Sequence, residues 1–201
     1  MQFRRETETA VRRGRRRDPA VDEAVKSAVL ALLTERGWDG VSMDGVAARA
    51  GVGKASIYRR WSSRVQMVAE AVTELNRGEL TPPDTGSLRE DLLVLFRSMV
   101  TALQGPLGTA SRALIGVLPH EPDLAVAFRE GALGVWAEAF AAVFAAAAAR
   151  GDLDRETLGT VAGEAGPAVL MQRWLITGQP LDDALAVDVV DHVVLPLLTR
   201  R

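Results

Sequence analysis

A cluster of polar and cationic side chains follows a glycine-bearing turn in the first third of the chain. The turn is Gly51-Val52-Gly53, and the side chains after it are Lys54, Ser56, Tyr58, Arg59 and Arg60. On the outer side of a short helix these groups can donate hydrogen bonds and pair with anions. Two short helices joined by such a turn cross each other as major-groove reading requires. The spacing therefore predicts a helix-turn-helix that contacts duplex DNA.

Local chemistry explains how the turn and its two helices would be held. Gly51 falls where the first helix ends, and glycine adopts a left-handed conformation there without a steric penalty. The small apolar residues that would fix the angle between the helices are Val46, Ala47, Ala50, Val52 and Ile57. Because helices this short are unstable alone, we expect the helices before and after them to clamp them in place.

Caps, breakers and apolar spacing predict helices along nearly the whole chain. The expected helices begin near Asp18-Pro19, Ser42, Lys54, Ser63, Ser87, Pro106, Pro122, Asp154 and Leu181. No stretch alternates with period two for long enough to form a sheet, so the expected fold is all-α, with about nine helices in total. The segment 81–86 holds two prolines and a glycine and marks a boundary. We therefore expect a disordered basic arm at 1–17, a three-helix helix-turn-helix domain with a connecting helix at 18–80, and a larger helical bundle at 87–201.

Charge is unevenly distributed along the chain. Residues 1–80 carry 15 Lys and Arg against 11 Asp and Glu, whereas residues 81–201 carry 9 against 15. Seven arginines fall within residues 1–17, and the last three, Arg15, Arg16 and Arg17, directly precede the first helix. We expect this arm to track phosphates or to enter the minor groove of DNA. A solvated tail without specific contacts is the alternative that composition leaves open.

The residue types give little support to an enzyme or a metal site. The 201 residues include no cysteine, and neither of the two histidines has a partner at metal-ligand spacing, so we expect no metal and no cofactor. An enzyme would have to be built on one of two acidic groups around a histidine: His120 with Glu121 and Asp123, or His192 with Asp188 and Asp191. Neither group has a serine or cysteine nucleophile beside it. The spacing of Asp188 and His192 is more simply that of a surface pair on a helix.

The chain also lacks the sequence marks of a secreted or membrane protein. Its Arg-rich start is not followed by an apolar stretch, and its longest apolar run, 139–149, covers eleven residues. Such a run is too short to cross a bilayer and is typical of a buried helix. We therefore expect a cytoplasmic protein that contacts DNA and no membrane.

Residues 37–64 resemble the DNA-binding domain of the TetR family of transcriptional regulators. They read GWDGVSMDGVAARAGVGKASIYRRWSSR, and the likeness extends over about residues 15–75. The sequence departs from the commonest family pattern at Trp61, where Phe is usual, and at Arg64, where Lys is usual. Both replacements keep the bulk or the charge. Gly45, inside the second helix, costs up to about 1 kcal/mol relative to alanine.

A looser likeness connects the last forty or so residues with one type of TetR ligand-binding domain. It runs from Thr160 to the end, through the run RWLITG at 173–178 and the helix start PLD at 180–182. The total length and the all-helical second half also suit the family.

The resemblance implies a set of DNA contacts. Ser42, Tyr58 and Arg64 would contact phosphates, with the Tyr58 ring also packing against the neighbouring helix. Lys54, Ala55, Ser56 and Arg59 would face base edges. For Arg60, at the helix end, DNA contact and a position away from the groove are both open. The expected DNA-binding residues are Arg15, Arg16, Arg17, Ser42, Gly53, Lys54, Ala55, Ser56, Tyr58, Arg59, Arg60 and Arg64.

The resemblance further implies a ligand-responsive regulator, most often a repressor, that binds a palindromic operator as a homodimer. A small, largely apolar effector would bind within 87–201. The candidate effector-binding residues, each with plain core as the alternative, are Phe96, Met99, Trp136, Phe140, Phe144, Met171 and Trp174. The last two helices would form the dimer interface through Val189, Val190, Val193, Val194 and Leu197. A helical ligand-binding protein with a vestigial basic head is the alternative, which the salt dependence of binding to random duplex DNA distinguishes.

Overall fold

The computed structural model describes residues 19–153, 156 and 159–199, and these fold into nine α-helices without a strand, which confirms the all-α expectation. The helices are α1 Pro19–Arg36, α2 Met43–Ala50, α3 Lys54–Arg60, α4 Arg64–Glu79, α5 Leu88–Gln104, α6 Pro106–Ile115, α7 Pro122–Arg150, α8 at 162–177 and α9 at 183–198. Short 3-10 turns lie at Trp38–Gly40 and Leu118–His120. The basic arm with Arg15, Arg16 and Arg17 lies outside the described residues, as do Asp18 and Asp154.

The ends of the short helices follow the caps that the sequence predicts. The Ser42 hydroxyl accepts a hydrogen bond from the Gly45 N–H at 3.0 Å and starts α2, and Gly51 ends α2 in the left-handed region with φ 66°. The Ser63 hydroxyl accepts from the Gln66 N–H at 3.1 Å and starts α4. In return, the Gln66 side-chain oxygen accepts a hydrogen bond from the Ser62 N–H and not from that of Ser63. Local side-chain chemistry thus defines the helix-turn-helix borders.

A first hydrophobic core lies beneath the helix-turn-helix. Buried residues of α1 to α4, among them Val29, Val46, Ile57 and Val72, pack together there. Residues from the second half of the chain complete this core, namely Leu107, Ala110 and Leu114 of α6 and Leu124, Phe128 and Ala132 of α7. The break at 81–86 is therefore a turn of the chain and not a division of the packing. The expected separation of 18–80 from 87–201 has to be corrected in this respect, because breakers report local backbone and not burial.

A second core joins α5, α7, α8 and α9. Phe96 is fully buried in it, with its ring centroid 5.3 Å from that of Phe140, and the Phe140 centroid is 6.1 Å from that of Phe144. These three rings, expected as effector contacts, are packed against one another inside the bundle. Their role as effector contacts stays a prediction.

Each of the three long C-terminal helices contains one π turn. The turns are Arg129–Leu133 in α7, Arg173–Thr177 in α8 and Val190–Val194 in α9. With its π turn α7 extends over 29 residues and is long and apolar enough to cross a membrane by length and composition. In this fold it is a core helix, because Val135, Phe140 and Phe144 are buried between α7 and its neighbours.

A fully buried carboxylate, that of Asp91, fastens the connection between α4 and α5. It accepts hydrogen bonds from the Thr85 N–H and hydroxyl, both at 2.7 Å, and from the Arg150 guanidinium at 3.1 Å. Burial by itself raises the pKa of Asp91, but the hydrogen bonds from Thr85 and Arg150 outweigh it and hold the pKa below its usual value. Asp91 thus ties the segment before α5 to the end of α7.

We expect Asp91→Asn to lower the free energy of unfolding by about 2–3 kcal/mol, because an amide group meets donors that need acceptors. Urea denaturation measures this loss. The matched control is Asp84→Asn, which removes an exposed carboxylate 3.2 Å from Arg150 and should cost less than about 0.5 kcal/mol. Because the folded pKa of Asp91 is depressed, its contribution is complete above the unfolded value of about 3.9 and is lost as pH falls through the folded value. Equal losses in the two variants would contradict this role.

Candidate functional site

The outer side of α3 presents most of the groups that the sequence places there. Ile57 is the one buried residue of this seven-residue helix, with 0% of its surface exposed. The exposed residues at the start and on the outer side of α3 are Gly53, Lys54, Ala55, Tyr58 and Arg59, and Ser56 is half-buried. Because Ile57 points into the core, the opposite side of α3 faces solvent. A polyanion can approach this surface without any rearrangement of the fold.

Asp44 on α2 pairs with two of the α3 groups. Its carboxylate accepts hydrogen bonds from Lys54 Nζ at 2.6 Å and from the Tyr58 hydroxyl at 3.2 Å. The hydrogen bond from Lys54 is the main reason why the pKa of Asp44 lies below its usual value, and it raises the pKa of Lys54. A phosphate that binds either group therefore competes with this carboxylate. Sequence reasoning missed Asp44, because the pairing spans the turn between two crossed helices.

Tyr58 lies on the surface and not in the core. Its side chain is 57% exposed, and its hydroxyl points to Asp44. The expected packing of its ring against the neighbouring helix stays a prediction, and its hydroxyl contact to Asp44 joins Tyr58 to α2. Ile57 anchors α3 in the core. Tyr58 is not needed for that contact, and its hydroxyl is accessible from the solvent.

The two arginines that end α3 point in different directions. Arg60 donates to a carboxylate oxygen of Asp22 on α1, and its side chain is only 13% exposed. It therefore holds α3 against α1, and its contact with DNA stays a prediction. Arg59 is exposed, and its guanidinium reaches only the Ser56 hydroxyl at 3.3 Å. Adjacent positions on a helix lie about 100° apart, which is why one arginine faces in and the other out.

Arg64 combines a surface position with a structural role. Its guanidinium stacks 3.9 Å from the centre of the Trp38 ring and lies within 3.4 Å of the Trp38 and Val41 carbonyl oxygens. Glu121, just before α7, lies 3.6 Å from Arg64 and accepts a hydrogen bond from Trp38 Nε1 at 3.0 Å. Arg64 and Trp38 thus join the start of α4 to the start of α7 through Glu121.

A small cavity lies among four of the seven expected effector-binding residues. It has a volume of about 50 Å³ and is lined by Met99, Trp136, Met171 and Trp174, with Asn76 among its other walls. The buried Asn76 amide donates to the Val72 carbonyl and accepts from Trp136 Nε1, both at 2.8 Å. Ligand sites usually hold about 300–1,000 Å³, so this cavity has to enlarge before an effector can enter.

The last helix buries most of the side chains that were expected at a dimer interface. Val189, Val190 and Val194 are at most 2% exposed within the single chain, so they belong to its own core and offer no surface to a partner. Val193 is half-buried and Leu197 is 36% exposed. On α8, Ile176 is 78% exposed. The π turn at Val190–Val194 changes which residues face outward, and periodicity alone does not anticipate it.

The histidine groups show no arrangement for catalysis. His192 Nδ1 lies 3.6 Å from Asp188 Oδ1, and both side chains are more than 70% exposed. His120 is also exposed, at the end of a 3-10 turn. In the part of the chain that the structure describes, no group of three His, Asp or Glu side chains could hold a metal ion. The chemistry on view is therefore that of binding.

Two family models match this chain. Residues 27–71 match bacterial regulatory proteins of the tetR family, and residues 82–193 match the Tetracyclin repressor-like C-terminal domain. The second match covers more than half of the 201 residues. The first match ends within α4, and the second begins in the segment that connects α4 to α5.

Similar proteins agree with these matches. A DNA-binding transcriptional repressor TetR of Mycobacteroides abscessus is 33% identical over 181 residues, covering 87% of this chain and 92% of the relative. The crystal structure of a TetR family transcription regulator matches with TM-score 0.73 at 26% identity, covering 90% of this chain and 99% of that one. A multidrug binding protein EbrR, solved with proflavin, shares the fold with TM-score 0.55 at 21% identity, covering 86% and 99%. The relatives are transcriptional regulators and not enzymes. The chain belongs to the TetR family of transcriptional regulators.

Proposed function

We propose that this regulator is a repressor that binds a palindromic operator as a homodimer and responds to a small, largely apolar effector. The observation that carries the proposal is the outer side of α3, where Lys54, Tyr58 and Arg59 are exposed around a single buried anchor, Ile57. Cationic and polar groups on a braced helix are what direct readout of a major groove requires. The Mycobacteroides abscessus relative, itself named a repressor, supports the direction of the response.

Each exposed group has a proposed task on DNA. Lys54 and Arg59 read guanine edges, Ala55 contacts a thymine methyl group, and Ser42 and Tyr58 hold phosphates. Arg64 contributes to the positive surface while it remains stacked on Trp38. The arginine arm before α1 adds phosphate or minor-groove contacts beside the same face.

The proposed dimer interface uses the outward faces of α8 and α9. Ile176 and Leu197 are large apolar side chains that remain exposed on these helices. Exposed apolar groups on adjacent helices favour a partner surface, and a twofold axis lets the same patch cover itself. Such a dimer spaces two α3 helices to read half-sites about one helical turn apart or a multiple of that.

The effector would act through contacts that the two halves of the chain share. The cavity beside Met99 and Trp136 lies next to α6 and α7, whose residues also complete the core under α3. The fold-related multidrug binding protein with bound proflavin is a precedent for a small molecule in this architecture. Enlargement of the cavity displaces helices on which the DNA-reading head rests. The proposed location of the protein is the cytoplasm, on DNA.

A first test measures binding to DNA from the region upstream of the coding gene and to a scrambled duplex by fluorescence anisotropy. We expect preference for the native duplex and expect Arg59→Ala to weaken that binding about tenfold or more, because a bidentate guanine contact is worth about 1–3 kcal/mol. Arg129→Ala, an exposed arginine on α7, is the matched control and should leave affinity unchanged. Equal binding of the two duplexes, with and without candidate effectors, would refute the proposed function.

A second test concerns the carboxylate that faces Lys54 and Tyr58. We expect Asp44→Asn to tighten binding to any duplex about fivefold, because two unit charges at contact interact by about 1 kcal/mol even in water. Binding titrations at several salt concentrations measure the change. Glu138→Gln on α7 removes an equal charge from an exposed site of the larger bundle and should have no effect. Weaker binding by Asp44→Asn would instead identify Asp44 as the group that orients Lys54.

A third test addresses the dimer. We expect Ile176→Glu to convert the dimer to monomers at micromolar concentration, because a carboxylate buried without a partner is strongly unfavourable. Sedimentation velocity measures the distribution of species. The control is Val126→Glu, since Val126 is a 43% exposed apolar residue on α7, outside the proposed interface. A dimer that survives Ile176→Glu with unchanged sedimentation would place the interface elsewhere.

A further inference from the structure

An open cleft lies beside Trp174, next to the small cavity. It has a volume of about 550 Å³, and its polar and cationic walls include Gln104, Thr109, Arg112, Arg173 and Gln179. Among the described residues, no aspartate or glutamate lines it. Leu103 and Trp174 are the two residues that line both the cleft and the small cavity. The cleft and the cavity are therefore neighbours that share an indole ring and a leucine as walls.

Arg112 holds the dividing tryptophan in place. Its guanidinium lies 4.8 Å from the centre of the Trp174 ring and donates a hydrogen bond to the Trp174 carbonyl oxygen at 2.7 Å. Trp174 itself is 6% exposed and belongs to the π turn Arg173–Thr177. A π turn carries one residue more than a regular turn and often marks a functional position. The partition is thus held by one arginine from α6 against a locally irregular stretch of α8.

The two arginines of the cleft differ from three other arginines of this half of the chain. Arg89, Arg97 and Arg150 each bind an aspartate carboxylate. Within the described residues Arg112 and Arg173 have no carboxylate partner, and Arg112 uses one donor on a neutral carbonyl oxygen. A guanidinium is a planar fork of five N–H donors that matches a carboxylate or phosphate group. The cleft therefore offers two cations with free donors and no competing anion.

We propose that the effector is an amphipathic anion: its carboxylate-like head binds Arg112 and Arg173 in the cleft, and its apolar tail enters behind Trp174. This inference rests on the proposed effector-responsive function and specifies the ligand class. The tail occupies the space beside Met99, Met171 and Trp136. The small cavity there has a volume of about 50 Å³ and has to enlarge to hold the tail. Entry of the tail requires the Trp174 ring to swing away, and binding of the head draws Arg112 off that ring. The same contact that closes the partition thus recognises the ligand.

The position of Arg112 links this binding to the DNA-reading head. Arg112 lies on α6, and the opposite face of α6 places Leu107, Ala110 and Leu114 in the core beneath the helix-turn-helix. α6 packs against α1, which in turn packs against α2 and α4. A shift of Arg112 toward an anion therefore moves a helix that supports α1.

The test uses isothermal titration calorimetry on the full-length protein with three probes that each have an unbranched chain of ten carbons, all below their micelle-forming concentrations. The probes are decanoate, 1-decanol and decyltrimethylammonium, which share a tail and differ in head charge. We expect decanoate to bind about tenfold or more tightly than decanol and the ammonium probe not to bind, because charge-assisted hydrogen bonds to the head are lost or reversed. Arg173→Ala should reduce this preference to less than about threefold while leaving decanol affinity unchanged.

Controls separate ligand recognition from folding. The Arg173 side chain has no hydrogen-bond or ion-pair partner among the described residues, so Arg173→Ala should fold normally, whereas Arg112→Ala also loses its contacts to Trp174. Arg129→Ala removes an exposed arginine outside the cleft and should leave all three affinities unchanged. Decanol binding as tight as that of decanoate, tighter binding of the ammonium probe, unchanged decanoate affinity in Arg173→Ala, or no decanoate binding would each overturn the proposal.

The operator assay keeps this inference distinct from the proposed function. We expect decanoate to lower operator affinity of the wild type at least about tenfold and to have little effect on Arg173→Ala. If the operator binds specifically but decanoate has no preference for the cleft, only the ligand class is wrong. If no specific operator binding is found for any variant, the proposed function fails first.

Discussion

The position of α3 depends on one buried side chain, Ile57, in a helix of seven residues. A helix this short has no stability of its own, so the core beneath it has to fix both its existence and its angle. That core is built by α1, α2 and α4 and is completed by α6 and α7. Those two helices also border the small cavity. The DNA-reading surface and the larger bundle therefore depend on the same packed side chains. Coupling between the sites is a consequence of that shared core.

The shared core has close contacts that transmit displacement. Gly131, in the π turn of α7, approaches α4 so closely that an added Cβ would lie 2.2 Å from Thr73 Oγ1. Glu121 joins the start of α7 to Trp38 and Arg64 beside the DNA-reading head. Densely packed interfaces shift between discrete arrangements and do not deform freely. α7 is therefore closely packed against α4 and is linked to Trp38 and Arg64 beside the DNA-reading head.

Some arginines of this molecule hold the fold together, and others remain free to bind a partner. The contacts of each guanidinium determine its role. Arg60 is turned inward by Asp22, Arg64 stacks on Trp38, and Arg59 alone of the three is left on the outer side of α3. In the larger bundle, carboxylates pair with Arg89, Arg97 and Arg150, whereas the cleft pair has no carboxylate partner among the described residues. An arginine in a cleft without a carboxylate partner can bind an anion, whereas an arginine paired with a carboxylate supports the fold.

Caps, glycine positions and apolar spacing were sufficient to predict most of the helices and the turn after α2, because these features act within a few residues of the chain. The family was predicted from the resemblance of residues 37–64. Packing between distant segments decided the rest. It buried Phe96, Phe140 and Phe144 together, turned Val189, Val190 and Val194 inward, and left four of seven expected residues around the cavity. It also paired Asp44 with Lys54 and buried Asp91 beneath Thr85. π turns and ion pairs across helices depend on where remote residues meet, which local sequence patterns do not encode.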